Sequence, residues 1–198
     1  MEWLVWGGLL LTILALLTAF IIVPFRSQPL PVLGQMSEFT LTNQDNQNVT
    51  LASLHGDVWV ADVIFTRCAG QCPVMSAHMQ SIQDALSGAS PIKLISFTTD
   101  PDFDTPSVLK QYGARFGAHN GQWMFLTGTK ASLRRATVDG LKLSVMENSG
   151  QGDPGALFVH SEKLVVLDQD GRIRGYFDGE TAEGASQALA AAKNLARR

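Results

Sequence analysis

Two kinds of hydrophobic patterning alternate along most of this chain. Short runs that are rich in β-branched and aromatic residues and poor in charge are typical of buried strands. Such runs occupy residues 58–66, 92–98, 123–127 and 164–168, and residues 172–177, which include two arginines, are predicted as a further strand. Between them, apolar residues recur at helical spacing and predict helices at residues 73–88, 104–117, 130–138 and 181–196. Strands that alternate with helices in this way indicate an α/β domain built on a parallel sheet.

Two further features belong to the ends of this domain. Residues 38–42 and 49–51 flank a polar turn and predict an N-terminal β-hairpin. The last two strands are joined by a turn that contains Gly171, so they predict a C-terminal hairpin, which the alanine-rich final helix follows. A short additional strand is predicted at residues 141–146.

The N-terminus carries a different pattern. Residues 4–23 contain no charged side chain, and 20 residues at about 1.5 Å per residue are enough to cross a hydrocarbon core of about 30 Å. A cleavable signal peptide would have a basic start and an Ala-x-Ala-like site, and neither is present. The sequence therefore predicts an uncleaved transmembrane anchor within residues 1–26, a proline-containing tether at 27–34 and a folded domain at 35–198.

Composition narrows the class of protein further. Of the 198 residues, 45% are hydrophobic and 17% charged, which is the composition of a folded domain. The formal net charge of −3 shows no excess of basic residues, so nucleic acid is not expected as a partner. The chain has two cysteines, which excludes a scaffold held together by several disulfides.

Both cysteines lie where the strand at 58–66 gives way to a helix. Cys68 belongs to the connecting loop, and Cys72 precedes Pro73, which suits the first turn of a helix. The positive end of a helix favours thiolate over thiol, so we expect both cysteines to have lowered pKa values and to be reactive. Such a pair can form a disulfide or hold one soft metal ion. A structural disulfide or two inert core thiols is the alternative interpretation.

Several local motifs accompany this cysteine pair. They are Phe65-Thr66-Arg67-Cys68-Ala69-Gly70-Gln71-Cys72-Pro73, Thr99-Asp100-Pro101 with Asp104-Thr105-Pro106, Trp123 with Leu126-Thr127-Gly128, and His160-Ser161 followed by Leu167-Asp168 and Gly171. In this combination, spread over about residues 37–178, the chain resembles the Sco/SenC copper proteins. The resemblance implies a thioredoxin-like fold. Ala69 departs from the family pattern, in which a proline commonly follows the first cysteine, and this affects only the stiffness of the loop.

The resemblance also implies a site and a role. One copper ion, Cu(I) or Cu(II), would be bound by Cys68, Cys72 and His160, in a chaperone that helps to assemble the dinuclear copper centre of cytochrome c oxidase. Thiolates select Cu(I) and imidazole accepts both oxidation states, so the donor set is chemically consistent with copper. Asp100 and Asp104 are candidate neighbours of the ligands, but Asp104 is equally explained as a helix cap, so Asp100 alone is kept as a functional candidate.

The implied partners are the copper-binding subunit of the oxidase and a copper donor protein. The implied location is the bacterial inner membrane, with a single span and the domain in the periplasm. The charges near the span do not decide this orientation.

A second function fits the same residues. A thiol–disulfide oxidoreductase would use Cys68 and Cys72 as its redox-active pair and would keep the cysteines of a target reduced. The CxxxC spacing and the histidine at position 160, where thioredoxin-like enzymes usually have a cis-proline, favour copper binding. A copper or redox sensor without a delivery role is a third hypothesis, and the sequence does not decide whether the protein is an enzyme.

Overall fold

A computed structural model describes residues 3, 6–8, 10–13, 30–86, 90–143 and 161–197. The chain divides into two compact units, Met1–Leu30 and Pro31–Arg198. In the first unit, residues 3, 6–8 and 10–13 are helical. No helix in the described part of the chain has the length and apolar character needed to cross a membrane, and most of the predicted span at 4–23 lies outside that part.

The second unit is built on a mixed sheet that has eight strands in the described residues. In chain order they are β1 (Gly34–Gln35), β2 (Thr40–Asn43), β3 (Asn48–Thr50), β4 (Val58–Ile64), β5 (Ile92–Thr98), β6 (Trp123–Thr127), β7 (Lys163–Leu167) and β8 (Arg172–Asp178). Their order across the sheet is β1-β8-β7-β4-β5-β6-β2-β3. Strands β4, β5 and β6 are parallel, and the remaining pairs are antiparallel.

Four α-helices accompany the sheet in the described residues of the second unit. They are α1 (Gln71–Asp84), α2 (Pro106–Arg115), α3 (Lys130–Arg134) and α4 (Ala182–Ala196). A 3₁₀ turn at Ala52–Leu54 precedes β4, and a π-helical segment at Arg135–Gly140 continues α3. The Thr105 hydroxyl accepts a hydrogen bond from the Val108 N–H and so caps α2, while Thr181 caps α4 by the same kind of bond from Gly184.

The central strand β4 is buried on both faces, as the nearly uncharged run at 58–66 predicted. Alternate side chains point to opposite faces. Trp59, Ala61 and Val63 pack into a core with residues of the N-terminal hairpin, α3 and the π-helical segment. Asp62 therefore lies on the opposite face. Helices α1 and α4 both pack against this strand, and the α1 N-terminus is consequently held at its carboxyl end.

The predicted architecture is confirmed for the α/β class, the N-terminal hairpin and the C-terminal hairpin with its helix. Three local predictions differ from the structure. Residues 130–138 form α3 and then a π-helix instead of one helix. Of the strand predicted at 141–146, residues 141–143 are not a strand, and 144–146 lie outside the described residues. Lys142 has a φ of 58°, a left-handed conformation that ends any extended strand. Asp104 is not the cap of α2, because Thr105 occupies that position.

Candidate functional site

The two cysteines lie at the junction of β4 and α1. Cys68 belongs to the loop that follows β4, where its N–H donates a 3.1 Å hydrogen bond to the Phe65 carbonyl. Cys72 is the second residue of α1 and is 6% exposed, whereas Cys68 is half-buried. Both are free thiols. One sulfur is thus open to solvent or to a partner, and the other is not.

The surroundings of the two thiols separate their pKa values. Burial raises the pKa of Cys68, but the backbone N–H groups of Cys72, Gly70 and Gln71 and the Cys72 thiol outweigh it, so the pKa is lowered. For Cys72 burial dominates and raises the pKa to about 12, although the Phe65 backbone acts in the opposite direction. The hydrogen bond to Cys68 and the charges of Cys68 and Asp62 add to that increase.

The prediction that both cysteines have lowered pKa values is therefore wrong for Cys72. The α1 N-terminus favours a thiolate. For Cys72, however, burial destabilises the thiolate by more than the free N–H groups of the helix stabilise it. The N–H groups of this terminus point instead at Cys68, which lies outside the helix. The pair consists of a reactive outer thiol and a protonated inner thiol joined by a hydrogen bond.

Two aspartates that follow β5 hold the loop before Cys68. The fully buried Asp104 carboxylate accepts hydrogen bonds from the Thr66 N–H at 3.1 Å, from the Thr66 hydroxyl and, at 2.5 Å, from the Thr98 hydroxyl. Asp100 accepts two hydrogen bonds from the Arg67 guanidinium, at 2.6 and 3.1 Å. Thr66 and Arg67 are the two residues that precede Cys68, so the two aspartates hold the segment that leads to Cys68 in position.

A third carboxyl group, that of Asp62, lies inside the fold beside the dithiol. It is fully buried, and neither of its oxygens has a hydrogen-bond partner in the described residues. Burial raises the pKa of Asp62 to about 7, while the nearby Ser96 hydroxyl lowers it partly without making a hydrogen bond of normal geometry. A charge on Asp62 raises the pKa values of both Cys72 and Tyr112.

The structure brings some of the predicted site residues together. Cys68 and Cys72 are in contact through their thiols. Asp100 contacts Arg67, the neighbour of Cys68, and no contact between Asp100 and a thiol occurs in the described residues. His160 lies outside the described residues. Within 30–86, 90–143 and 161–197, no three histidine, cysteine or acidic side chains are grouped as metal ligands.

Sequence reasoning missed the role of Asp62 and left that of Asp104 open. Asp62 had a visible signal, since it is the one charged side chain in the apolar run of β4. Asp104 could not be decided, because Asp-Thr-Pro before a helix is typical of a cap whether the aspartate faces solvent or the protein interior.

A thioredoxin-like sheet with a cysteine pair at a strand-to-helix turn defines a class of dithiol proteins. Comparison with known proteins makes the assignment specific. The family model described as SCO1/SenC matches residues 31–197. The SCO1 protein homolog of Bacillus subtilis (strain 168) is 33% identical over 151 residues, which cover 75% of this chain and 76% of that protein. The chain therefore belongs to the SCO1/SenC family.

Solved structures show the same relationship. A SCO1/SenC family lipoprotein from Bacillus anthracis str. Ames is 28% identical, with a TM-score of 0.71, over 84% of this chain and 97% of that one. BsSco is 31% identical, with a TM-score of 0.67, over 82% of this chain and 96% of that one. It is described as having a disulfide switch and as a member of the Sco family of cytochrome c oxidase assembly proteins. A relative from Stutzerimonas stutzeri whose name refers to copper binding is 28% identical over 150 residues, 74% of this chain and 71% of its own.

Proposed function

We propose that this protein is a copper chaperone that binds one copper ion per chain and helps to assemble the dinuclear copper centre of cytochrome c oxidase. The observation that carries the proposal is the pair of thiols at the β4–α1 junction, hydrogen-bonded to each other, one of them with a lowered pKa. Family membership supports it, as do the names of the relatives that refer to copper and to oxidase assembly.

The residues present fit copper as cargo. Two soft sulfur donors on one short turn suit Cu(I), and an imidazole as third donor would extend the site to Cu(II). We assign that third donor to His160 on the sequence motif alone. The lowered pKa of Cys68 favours the thiolate that a metal ion requires, whereas the raised pKa of Cys72 means that this residue must release a proton, so copper uptake is coupled to proton release. Asp100 acts on the site through Arg67, by holding the loop that carries Cys68.

Copper analysis tests this proposal. The full-length chain, purified under reducing conditions and loaded with Cu(I) or Cu(II), is expected to retain one copper per chain. The variants Cys68→Ser, Cys72→Ser and His160→Ala are each expected to bind copper more weakly, because each removes one donor. His119→Ala, which changes an exposed histidine, is the matched control and should keep full stoichiometry. Unchanged copper content and thiolate-to-copper absorption in both Cys68→Ser and His160→Ala would refute the donor set.

Thiol–disulfide exchange is a second candidate function, and the asymmetry of the thiols favours it. A reactive outer thiol beside a buried inner thiol is the arrangement of a nucleophile and its resolving partner. The two functions separate at His160, which disulfide exchange does not require. If His160→Ala restores full oxidase activity in a deletion strain while the double cysteine variant does not, the oxidoreductase is the better assignment. A sensor without a delivery role would leave oxidase activity intact in both variants.

The proposed location is the bacterial inner membrane, with residues 4–23 as a single anchor and the folded unit in the periplasm. The uncharged run of 20 residues supports an anchor, and a lipoprotein among the relatives is consistent with a membrane-attached domain. Alkaline phosphatase fused after Leu33 or at the C-terminus is expected to be active, because this enzyme requires the periplasm. Two well-expressed but inactive fusions would place the domain on the other side.

A further inference from the structure

A cavity opens on the surface directly beside the cysteine loop. Its volume is about 490 Å³, and its walls include Arg67, Phe103, Val108, Gln111, Tyr112 and Arg115. We refer to these six residues as the loop-side groove. Arg67 is adjacent to Cys68 in the chain, and the Tyr112 hydroxyl is hydrogen-bonded at 2.8 Å to Ser76, four residues after Cys72. The groove is therefore tied to both cysteine-bearing segments.

Two guanidinium groups of the groove are stacked on aromatic rings. The Cζ of Arg67 lies 4.5 Å from the centroid of the Phe103 ring, and that of Arg115 lies 4.8 Å from the centroid of the Tyr112 ring. Stacking of this kind leaves the N–H edges of a guanidinium available and reduces the entropy lost on binding. Both cations are thus pre-positioned.

The two arginines differ in charge compensation. Arg67 is paired with Asp100, and its side chain is 55% exposed. Arg115 is exposed at the end of α2, and no carboxylate pairs with it in the part of the chain that the structure describes. A bidentate pair with a carboxylate is among the strong interactions that a planar guanidinium can make. Arg115 is therefore the point of the groove at which an incoming negative charge is best accommodated.

The rest of the groove is apolar or neutral. Phe103 is 44% exposed, which is unusual for a ring of this size, and Val108 is half-buried beside it. Gln111 is exposed and offers an amide that can donate to or accept from a peptide backbone. A carboxylate alone would leave this surface uncovered, whereas a peptide with an apolar residue next to an acidic one would cover it.

We propose that the loop-side groove binds an acidic segment of the target protein, with a glutamate or aspartate carboxylate on Arg115 and a neighbouring apolar side chain against Phe103 and Val108. The proposal rests on the copper-delivery function and specifies how the recipient is held. Because Arg67 belongs both to the groove and to the loop that leads to Cys68, a segment bound there lies beside the half-buried Cys68 thiol. Charge complementarity at Arg115 and the apolar wall favour such a segment over a basic or purely polar one.

The test uses the full-length chain and two fluorescein-labelled peptides of equal length, acetylated and amidated at their ends. One places a glutamate next to a leucine, and the other replaces the glutamate by glutamine. Fluorescence anisotropy is expected to show about tenfold tighter binding of the glutamate peptide, a preference that decreases as salt is added. In Arg115→Gln this preference should vanish. Arg115→Lys should show part of it, because lysine keeps the positive charge but lacks the planar guanidinium that pairs with a carboxylate through two hydrogen bonds.

Arg197→Gln is the matched control, since it removes the same charge from the end of α4, where Arg197 lines a separate cavity with Ala85 and Leu86. It should bind both peptides like the wild type. Copper content, measured in parallel, should stay at the wild-type level in Arg115→Gln. If the wild type binds no copper, the proposed function is overturned, whereas the peptide selectivity remains a separate result.

Three results would overturn the groove proposal itself. One is equal binding of the two peptides by the wild type. Another is unchanged glutamate selectivity in Arg115→Gln. The third is complete competition by free acetate at the concentration of the peptide, which would reduce the site to a nonspecific anion site.

Discussion

Between pH 5 and pH 8 the free energy of unfolding of the wild-type chain is expected to fall by about 3 kcal/mol relative to that of Asp62→Asn. The reason is the environment of one carboxyl group. Asp62 is fully buried on β4 without a hydrogen-bond partner in the described residues, and this burial raises its pKa to about 7 from 3.8. Asparagine has nearly the same shape but does not ionise in this range.

The direction follows from the two pKa values. Below pH 3.8 the carboxyl is protonated in both the folded and the unfolded chain, so it causes no pH dependence. As the pH rises towards 7, the unfolded chain loses this proton while the folded chain retains it, and stability falls by about 1.4 kcal/mol per pH unit. Above pH 7 both states are ionised, and the full penalty of about 4 kcal/mol remains.

Urea unfolding of the reduced, copper-free chain at several pH values measures this effect. Other groups titrate in the same range, but they do so in both proteins, so the difference between wild type and Asp62→Asn isolates Asp62. Asp84→Asn, at the exposed end of α1, is the control and should follow the wild type at every pH. A difference between wild type and Asp62→Asn that stays constant from pH 5 to pH 8 would contradict the assigned pKa.

The prediction links stability to the proposed site. A negative charge on Asp62 raises the pKa of Cys72, and copper binding requires Cys72 as a thiolate. A carboxyl group that stays protonated up to about pH 7 keeps this opposing charge away from the dithiol over most of the acidic range. Below about pH 7, where Asp62 is protonated, its burial therefore destabilises the fold least and its effect on the pKa of Cys72 is also smallest.

Much of the sheet could be predicted from the sequence because its central strands are buried on both faces. Nearly every position of β4 and β5 is buried and most are apolar, so hydrophobic runs marked these strands within a few residues. The region after α3 was mispredicted for the opposite reason. Leu141 and Leu143 alternate with Lys142 as in a strand, yet both leucines are buried from an irregular turn in which Lys142 is left-handed.

The candidate site was predictable in position but not in its energetics. Cys68 and Cys72 could be placed at a strand-to-helix turn from Pro73 and the neighbouring hydrophobic pattern. The pKa of Cys72 could not, because it depends on how deeply α1 packs against β4, which is a tertiary property. The partners of Asp104 lie 38 and 6 residues away in the chain, at Thr66 and Thr98, and no local pattern connects them.

Three aspartates, Asp62, Asp100 and Asp104, influence the turn that carries the two cysteines. Asp100 and Asp104 hold the segment before Cys68 in place, and Asp62 sets the charge near Cys72. The Arg67–Asp100 pair is half-exposed on the arginine side and should contribute about 1 kcal/mol at most. Asp104 is fully buried, and its three hydrogen bonds are the stronger part of the arrangement.

Replacing Asp104 by alanine is expected to lower the free energy of unfolding by about 3–5 kcal/mol. The carboxylate accepts hydrogen bonds from the Thr66 N–H, the Thr66 hydroxyl and the buried Thr98 hydroxyl, and alanine would leave these donors without this partner. Asparagine is expected to destabilise nearly as much, because its amide N–H groups would face donors where two carboxylate oxygens accept. The loss is a large fraction of the stability of an ordinary domain.

Asp102→Ala is the matched control, since Asp102 lies two residues earlier, is 71% exposed and pairs with the exposed Lys130. Its effect should stay below about 1 kcal/mol. Urea unfolding measures both variants, and hydrogen exchange separates a local role from a global one. If Asp104 holds the loop, the Thr66 amide in Asp104→Ala should exchange much faster than amides of β5, and copper affinity should fall with it. Equal protection of the Thr66 amide in Asp104→Ala and wild type would show that the Cys68 loop is held in place without this carboxylate.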